Sequence, residues 1–195
     1  GGGGNATEDL ALYDRADQAP WKTYIGSPEN WGGTELGDAH TASHANINVV
    51  PTDVNVQGDG LKVTWTGTGA GQVYVQNPGG GTDLRGYVNT QGALEFDVVV
   101  NQPPAARTVI STHCTYPCQG ETVATKLFTG LPVGQKATVK IPVQCFVDKG
   151  LDPEIVNTPF LVYTEGAFQA SFANIRWVPK GANDPDAQKC SDLVD

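Results

Sequence analysis

The chain has 195 residues, a length that fits one domain with a full hydrophobic core. Twelve Lys and Arg against 21 Asp and Glu give a net charge of −9, and no run of five basic residues occurs. This composition argues against nucleic acid and anionic membrane surfaces as partners, because both are bound through cationic side chains. No apolar run approaches the roughly 20 residues of a membrane helix, so membrane insertion is not expected. A neutral sugar polymer remains compatible with the charge.

The composition also predicts the class of fold. Gly is 24 and Pro is 13, and only 17% of the residues are charged, which favours short strands joined by turns over a helical bundle. Because the chain contains no Met, we interpret it as a mature product or an excised fragment. The expected organisation is a flexible or linker segment at 1–9, a β-sandwich at 10–180, and a polar tail at 181–195.

In the first part of the chain, alternation of apolar and polar residues marks the strands. Leu61, Val63 and Trp65 alternate with polar residues, which predicts that Trp65 lies in the core. Residues 26–37, which contain Trp31, are interpreted as a loop, and residues 77–83 as a Gly-rich loop. The predicted strands are residues 10–13, 19–25, 47–50, 61–66, 72–76, 94–99 and 107–113.

The stretch from Gln135 to Pro179 gives the clearest pattern. It predicts a strand at 139–145, one helical turn at 152–154, and two more strands at 160–164 and 168–177, with Trp177 in the core. Residues 126–128 form a short helical or extended piece. In total, eight to ten short strands with almost no helix predict an all-β, two-sheet sandwich of jelly-roll type.

Four Cys residues indicate how the chain is cross-linked. An even number, two of them flanking a tripeptide, suggests two disulfides in an exported protein. Zinc is the rival interpretation, although no second close Cys or His pair supports it. Of the three pairings that four Cys allow, we favour Cys114–Cys118, which would close a small loop, and Cys145–Cys190, which would tie the tail to the body.

Several segments in combination resemble a known family. They are Ala19-Pro20-Trp21 with Ile25-Gly26 and Trp31, the segment 114–118 followed by 126–128, Cys145-Phe146, Gly150-Leu151-Asp152, residues 157–161 and residues 173–177. Together they resemble the non-catalytic C-terminal domain of ExoP-type enzymes, which are exo-acting β-glucan glucohydrolases of glycoside hydrolase family 3 from Gram-negative bacteria. The resemblance covers roughly residues 10 to 180.

The resemblance implies a galactose-binding-like β-sandwich, similar to several carbohydrate-binding modules, in a secreted or periplasmic enzyme. No catalytic residue of family 3 can be carried over, because the barrel with its nucleophile is not in this chain. The domain would therefore hold β-glucan near a catalytic domain. Alternatively, it would pack on the catalytic barrel and shape its entrance, which requires a broad apolar patch. An independent glycosidase, the third hypothesis, would need two acids facing one cleft.

Sugar-binding sandwiches stack pyranose rings on aromatic faces and hold hydroxyl groups with amides. Tyr74 shares a strand face with two glutamines, and Tyr116 lies in the small Cys-flanked loop. Arg107 and His113 lie on the same side of their predicted strand. Two further aromatics, Trp21 and Tyr87, are weaker candidates for stacking. The predicted carbohydrate-binding residues are Trp31, Gln72, Tyr74, Gln76, Arg107, His113, Tyr116 and Tyr163.

Acidic and metal-binding patterns are weaker. Glu95 and Asp97 share one strand face about 7 Å apart, a separation that an inverting glycosidase could use, although acids on a wet sheet face are common. No cofactor is required. His40 and His44 with Asp38 could bind a metal, but their spacing carries little information. A structural Ca²⁺ is the better metal hypothesis, and its candidate ligands are Asp14, Asp17, Asp53 and Asp59.

Overall fold

The computed structural model describes residues 3–195. Within them the backbone forms three short helices, α1 (Arg85–Asn89), α2 (Thr125–Gly130) and α3 (Val143–Val147). The thirteen strands are β1 (Leu10–Tyr13), β2 (Lys22–Ser27), β3 (Asn30–Glu35), β4 (Ala42–Ser43), β5 (Ile47–Thr52), β6 (Gly60–Thr66), β7 (Gly71–Gln76), β8 (Ala93–Gln102), β9 (Thr108–His113), β10 (Gln119–Val123), β11 (Lys136–Pro142), β12 (Thr158–Thr164) and β13 (Ala167–Val178).

The strands form two antiparallel sheets, which confirms the predicted two-sheet β-sandwich. The seven-stranded sheet has the order β11-β8-β13-β6-β5-β4, and β1 pairs with β13 beside this path. The six-stranded sheet has the order β10-β9-β12-β7-β2-β3. The short connection from β12 to β13 therefore crosses from one sheet to the other, which links the two layers through a central strand of each.

The core lies between the sheets and is rich in aromatic side chains. Trp65 and Trp177 are fully buried, as predicted, and their indole N–H groups donate to the carbonyl oxygens of Gly71 (2.9 Å) and Pro159 (3.0 Å). Phe96 packs edge-on against Phe160, with ring centroids 5.4 Å apart. These hydrogen bonds satisfy the polar atoms that burial of the tryptophans would otherwise leave unpaired.

Three strands, β3, β4 and β10, and the helix α1 were not predicted, because their sequences lack apolar periodicity. Residues 26–37 were expected to be a loop, yet β3 lies within them and pairs with β2. Strand β10 is polar and lies at an edge of its sheet, and α1 is only five residues long. Edge strands and single helical turns bury little apolar surface, so they leave a weak pattern in the sequence.

The position of the helical turn in the 135–179 stretch was also predicted wrongly. The chain is helical at 143–147, where a strand ending was expected, and Asp152 instead begins a non-helical turn in which its carboxylate accepts the N–H of Glu154 (3.0 Å). The spacing of Val143, Phe146 and Val147 fits one face of a helix. A run this short therefore fits both the period of a helix and the period of a strand, and burial of the side chains decides which structure forms.

Both disulfides have the pairing that we favoured from the sequence. Cys114–Cys118 closes a five-residue loop, and Cys145–Cys190 joins α3 to the C-terminal segment. This segment packs on the body of the domain: Leu193 is buried, and Asp184 and Asp186 both accept hydrogen bonds from Lys140 at 2.9 Å. No helix among residues 3–195 is long and apolar enough to cross a membrane.

Candidate functional site

The outer face of the six-stranded sheet forms a groove of about 610 Å³. The strands are antiparallel, so residues paired across neighbouring strands point to the same face of the sheet. One such row runs through the groove from β7 to β10. The groove is lined by Trp31, Gly32, Gln72, Tyr74, Gln76, Ser111, His113, Tyr116, Gln119, Glu121, Leu161 and Tyr163.

Strand register explains why these residues converge. Tyr74 of β7 is opposite Leu161 of β12, Leu161 is opposite Ser111 of β9, and Ser111 is opposite Glu121 of β10. A second row places Gln72 opposite Tyr163. Because alternate side chains of each strand share a face, the other face of the same strands supplies the core, which leaves these polar and aromatic groups on the outside.

Tyr74 forms part of the groove floor. Its ring stacks on that of Tyr24, with centroids 5.4 Å apart and an interplanar angle of 16°. Only 4% of the residue is exposed, and burial together with the neighbouring Tyr24 raises the pKa of Tyr74 to about 12. Tyr74 is therefore a neutral phenol at all physiological pH values, and its low exposure makes it a floor rather than an open stacking surface.

Trp31 lies at one edge of the groove on the β2–β3 hairpin and is 49% exposed. A Cβ atom at Gly26 would lie 3.3 Å from atoms of Gln72 and 3.5 Å from the Trp31 ring, so the absence of a side chain leaves room for both. The hairpin is anchored by His44, whose ring nitrogens lie 2.6 Å from the hydroxyl of Ser27 and 2.8 Å from that of Thr34. These contacts fix the hairpin that carries Trp31, about half of whose surface is exposed.

Tyr116 lies at the opposite edge of the groove, in the disulfide-closed loop between β9 and β10. It is 70% exposed, and its ring centroid is 5.6 Å from that of His113. The loop is held by a hydrogen bond from the N–H of Cys114 to the carbonyl of Cys118 (2.9 Å) and by one from the N–H of Thr115 to the Asn157 side chain (2.8 Å). Tyr116 is thus presented to solvent on a constrained backbone.

Amide groups occupy the groove between these aromatics. Gln76 donates to the hydroxyl of Thr158 (3.0 Å), which fixes one end of its amide, and Gln119 accepts a long hydrogen bond from Ser111 (3.5 Å). Burial lowers the pKa of His113, so its imidazole is neutral near pH 7. Apart from Glu121, the polar side chains of the groove are therefore neutral donors and acceptors, the groups that bind sugar hydroxyls.

Seven of the eight predicted carbohydrate-binding residues line this groove, and Arg107 does not. Arg107 precedes β9, and its guanidinium Nε lies 2.8 Å from the carboxylate of Asp195. Arg107 was grouped with His113 because the two are an even number of residues apart in the predicted strand. Strand β9 begins at Thr108, and the alternation of side chains does not extend beyond the end of a strand. The prediction also missed Gln119 and Glu121, because β10 itself was not predicted.

The other candidate residues from the sequence lie away from the groove. Trp21 is buried in the core, and Tyr87 packs edge-on against Trp177 at the far side of the domain. Glu95 and Asp97 lie on the outer face of the seven-stranded sheet, where both are buried and paired with Arg176. Both carboxylates are thus ion-paired to one arginine, and neither residue lines the groove.

The candidate metal ligands do not converge. Within residues 3–195, no three or more His, Cys, Asp and Glu side chains come together in a group that could hold a metal ion. The carboxylate of Asp59 accepts the N–H of Val54 (2.8 Å), and that of Asp53 accepts the N–H of Gly58 (2.6 Å). These two aspartates thus serve a local loop, while the rings of His40 and His44 contact hydroxyl groups.

Comparison with solved structures finds the same fold in the C-terminal domain of a glucanase and in carbohydrate-binding modules. The extra C-terminal domain (X) of the exo-1,3/1,4-β-glucanase ExoP from a Pseudoalteromonas species is 15% identical over 93% of this chain and 98% of that domain, with a TM-score of 0.72. In the structure of the whole exo-glucanase the TM-score is 0.74 at 14% identity, over 94% of this chain, which spans only 22% of that enzyme.

Two carbohydrate-binding modules from Clostridium thermocellum share the fold. The family 30 module of a cellulosomal cellulase has a TM-score of 0.60 at 19% identity, over 89% of this chain and 99% of the module. A family 11 module, solved with a β-1,3-1,4-mixed-linked tetrasaccharide, has a TM-score of 0.53 at 15% identity, over 90% of this chain and 98% of the module. These identities establish similarity of fold.

No curated protein matches the chain at a significant level. A protein-family model described as galactose-binding domain-like, Exop_C, matches residues 19–177. The match covers well over half of the chain and includes all the residues that line the groove. The chain therefore belongs to the Exop_C family of galactose-binding-like domains.

Proposed function

We propose that this domain binds a β-glucan chain in the groove of the six-stranded sheet and holds it near a catalytic domain of the same secreted protein. The observation that carries this proposal is the placement of the two exposed aromatics, Trp31 and Tyr116, at opposite edges of one groove lined between them by amides. Five strand-to-strand steps of about 4.8 Å separate β3 from β10, roughly 24 Å in all, which is room for several sugar rings.

The nature of the relatives supports the choice of ligand. One similar module was solved with a mixed-linked β-1,3-1,4 tetrasaccharide, and the ExoP domain is part of an exo-1,3/1,4-β-glucanase. Two disulfides support residence in an oxidising compartment outside the cytoplasm. A mixed-linkage β-glucan is therefore the ligand that we propose, and an exported glycoside hydrolase is the proposed parent protein.

Surface composition favours binding over a purely packing role. A domain that only shields a catalytic barrel would expose a broad apolar patch. Among residues 3–195 the exposed large hydrophobic side chains include two aromatics, and both are at the groove. The exposed aliphatic residues lie on separate strands and loops, and they are Val50, Val56, Val133, Ile155 and Val194.

Calorimetry on the folded chain tests the proposal, with a soluble mixed-linkage β-glucan and laminarin as ligands. We expect Trp31→Ala and Tyr116→Ala each to weaken binding at least tenfold, or about 1.4 kcal/mol, through loss of a stacking face. Val133→Ala, which also removes exposed apolar surface but outside the groove, is the control and should keep the parent affinity. Absence of binding heat with either glucan, from a chain shown to be folded, would leave the packing role as the better account.

A further inference from the structure

The lining of the groove contains one acidic side chain, Glu121 of β10. Neither Lys nor Arg lies among the lining residues. His113 is the basic side chain of the lining. Burial lowers its pKa, so its imidazole is neutral near pH 7. The lining residues of the groove therefore include one carboxylate and no cationic side chain.

The negative charge of Glu121 acts on Tyr163, which also lines the groove. The pKa of Tyr163 is raised, first by burial, then by its hydrogen bond to Glu165 (3.0 Å), and further by the negative charges of Glu165 and Glu121. Both carboxylates thus act on the same end of the groove, at β9, β10 and β12. Electrostatic effects in a partly buried groove are screened less than those on an open surface.

One cation lies beside Glu121, but it is shared. The Arg107 guanidinium is 4.0 Å from the Glu121 carboxylate and only 2.8 Å from that of Asp195. One positive charge therefore faces two negative charges at this corner. Because the closer partner of Arg107 is Asp195, outside the groove, its positive charge is shared rather than devoted to Glu121.

We propose that Glu121 is a specificity-determining residue, which makes the groove select uncharged polysaccharides and reject chains that carry carboxylate or sulfate groups. This rests on the proposed function, since it concerns the ligand of the same groove. An anionic substituent bound near β10 would face the Glu121 carboxylate, whose one cationic neighbour, Arg107, is shared with Asp195. A hydroxyl group in the same place can instead donate a hydrogen bond to that carboxylate. Repulsion between like charges lowers the affinity for an anionic polysaccharide, and it does so without any additional contact to an uncharged one.

The test compares two derivatives of one soluble mixed-linkage β-glucan, at matched degrees of substitution. The carboxymethyl derivative is anionic, and the hydroxyethyl derivative carries a neutral group of similar size, which controls for steric effects. Calorimetry on the parent at low salt should give at least tenfold weaker binding of the carboxymethyl form. The ratio should shrink in about 1 M salt, where the Debye length falls to about 3 Å.

Two variants test whether Glu121 causes the difference in affinity between the hydroxyethyl and carboxymethyl derivatives. Glu121→Gln should narrow the ratio of the two affinities at least threefold, while Asp9→Asn, an equal change of charge before β1 on the other sheet, should leave it at the parent value. Equal binding of both derivatives by the parent, or an unchanged ratio in Glu121→Gln, would overturn the role of Glu121 and leave the proposed function standing. If the parent binds neither the hydroxyethyl nor the unmodified glucan, the proposed function fails, and this proposal fails with it.

Discussion

Gly33 lies so close to the hydroxyl of Tyr74 that a methyl group at this position would overlap the phenol oxygen. The glycine is in β3 and has φ of +97°, a backbone conformation that side chains disfavour. Strand β3 can therefore pass over the Tyr24–Tyr74 stack without a gap. The floor and one edge of the groove consequently depend on a residue that carries no side chain.

Gly33→Ala should destabilise the domain by more than the cost of its backbone conformation. Gly134→Ala is the matched control, because Gly134 also has a positive φ (+78°) but has no neighbouring atom within 4 Å of the added methyl group. Overlap with Tyr74 should add about 1–3 kcal/mol to the loss of unfolding free energy. Urea denaturation of both variants measures the difference, and equal losses would contradict the role assigned to the Gly33–Tyr74 contact.

Asn157→Ala should weaken glucan binding through Tyr116. The Asn157 side chain accepts the N–H of Thr115 at 2.8 Å and so fixes the loop that presents the aromatic ring. Loss of one such hydrogen bond corresponds to about 0.5–1.5 kcal/mol, or roughly two- to tenfold in affinity.

A double-mutant cycle separates this effect from a direct contact of Asn157 with the sugar. If Asn157 acts by placing Tyr116, its substitution should have little further effect in a Tyr116→Ala background. Fully additive losses would show that the two residues act independently.

Of the two disulfides, Cys145–Cys190 should contribute more to stability and Cys114–Cys118 more to glucan binding. From chain entropy, loss of Cys145–Cys190, with a sequence separation of 45, should cost about 4 kcal/mol, whereas loss of Cys114–Cys118, with a separation of 4, should cost about 2 kcal/mol. Paired Cys→Ala variants, compared by urea denaturation, measure this order.

Calorimetry on the same variants should reverse the ranking, because the smaller ring holds Tyr116 at the groove and the larger one fastens the C-terminal segment. The interpretation of the 114–118 loop as a rigid mount for Tyr116 would be wrong if its disulfide could be removed without loss of affinity.

Glu95→Gln should flatten the dependence of stability on pH. Burial raises the pKa of Glu95 above its ordinary value of 4.5, although Arg176 opposes the shift, and one carboxylate oxygen makes no hydrogen bond within residues 3–195. A raised pKa in the folded state means that the protonated form contributes stability below pH 4.5, and this contribution is lost as the pH rises through the folded-state pKa.

The variant is uncharged throughout, so its melting temperature should fall less than that of the parent as the pH rises above 4.5. Arg176 keeps Asp97 as an ion-pair partner at 3.5 Å, which limits the damage of the substitution. Asp38→Asn, at an exposed residue that does not contribute to the pKa shift of Glu95, supplies the matched loss of one acidic group. Parallel curves for parent and Glu95→Gln would show that this carboxyl does not govern the slope.

The strands at the centre of both sheets could be predicted because each buries one face. Val63 and Trp65 alternate with polar residues, and the same period placed Gln72, Tyr74 and Gln76 together on the outer face. The period of two decides which side chains share a face, and this is sufficient to bring a large part of a sheet-borne groove together.

Features at the edges could not be predicted in this way. Gln119 and Glu121 lie in a polar strand, so their membership of the groove depends on pairing between β10 and β9 rather than on any local pattern. The low exposure of Tyr74 arises from Tyr24 and Gly33 on two other strands. Such properties depend on which strands become neighbours, and strand order is set by the whole core.

The disulfides have a practical consequence for chemical labelling. All four cysteines are oxidised in pairs, and no free thiol remains in residues 3–195. A single cysteine introduced at Val50, which is exposed on the seven-stranded sheet, would be the one thiol available for selective conjugation under non-reducing conditions. The domain could then be attached to a surface or a dye from the side away from the groove, which keeps the face proposed for polysaccharide free.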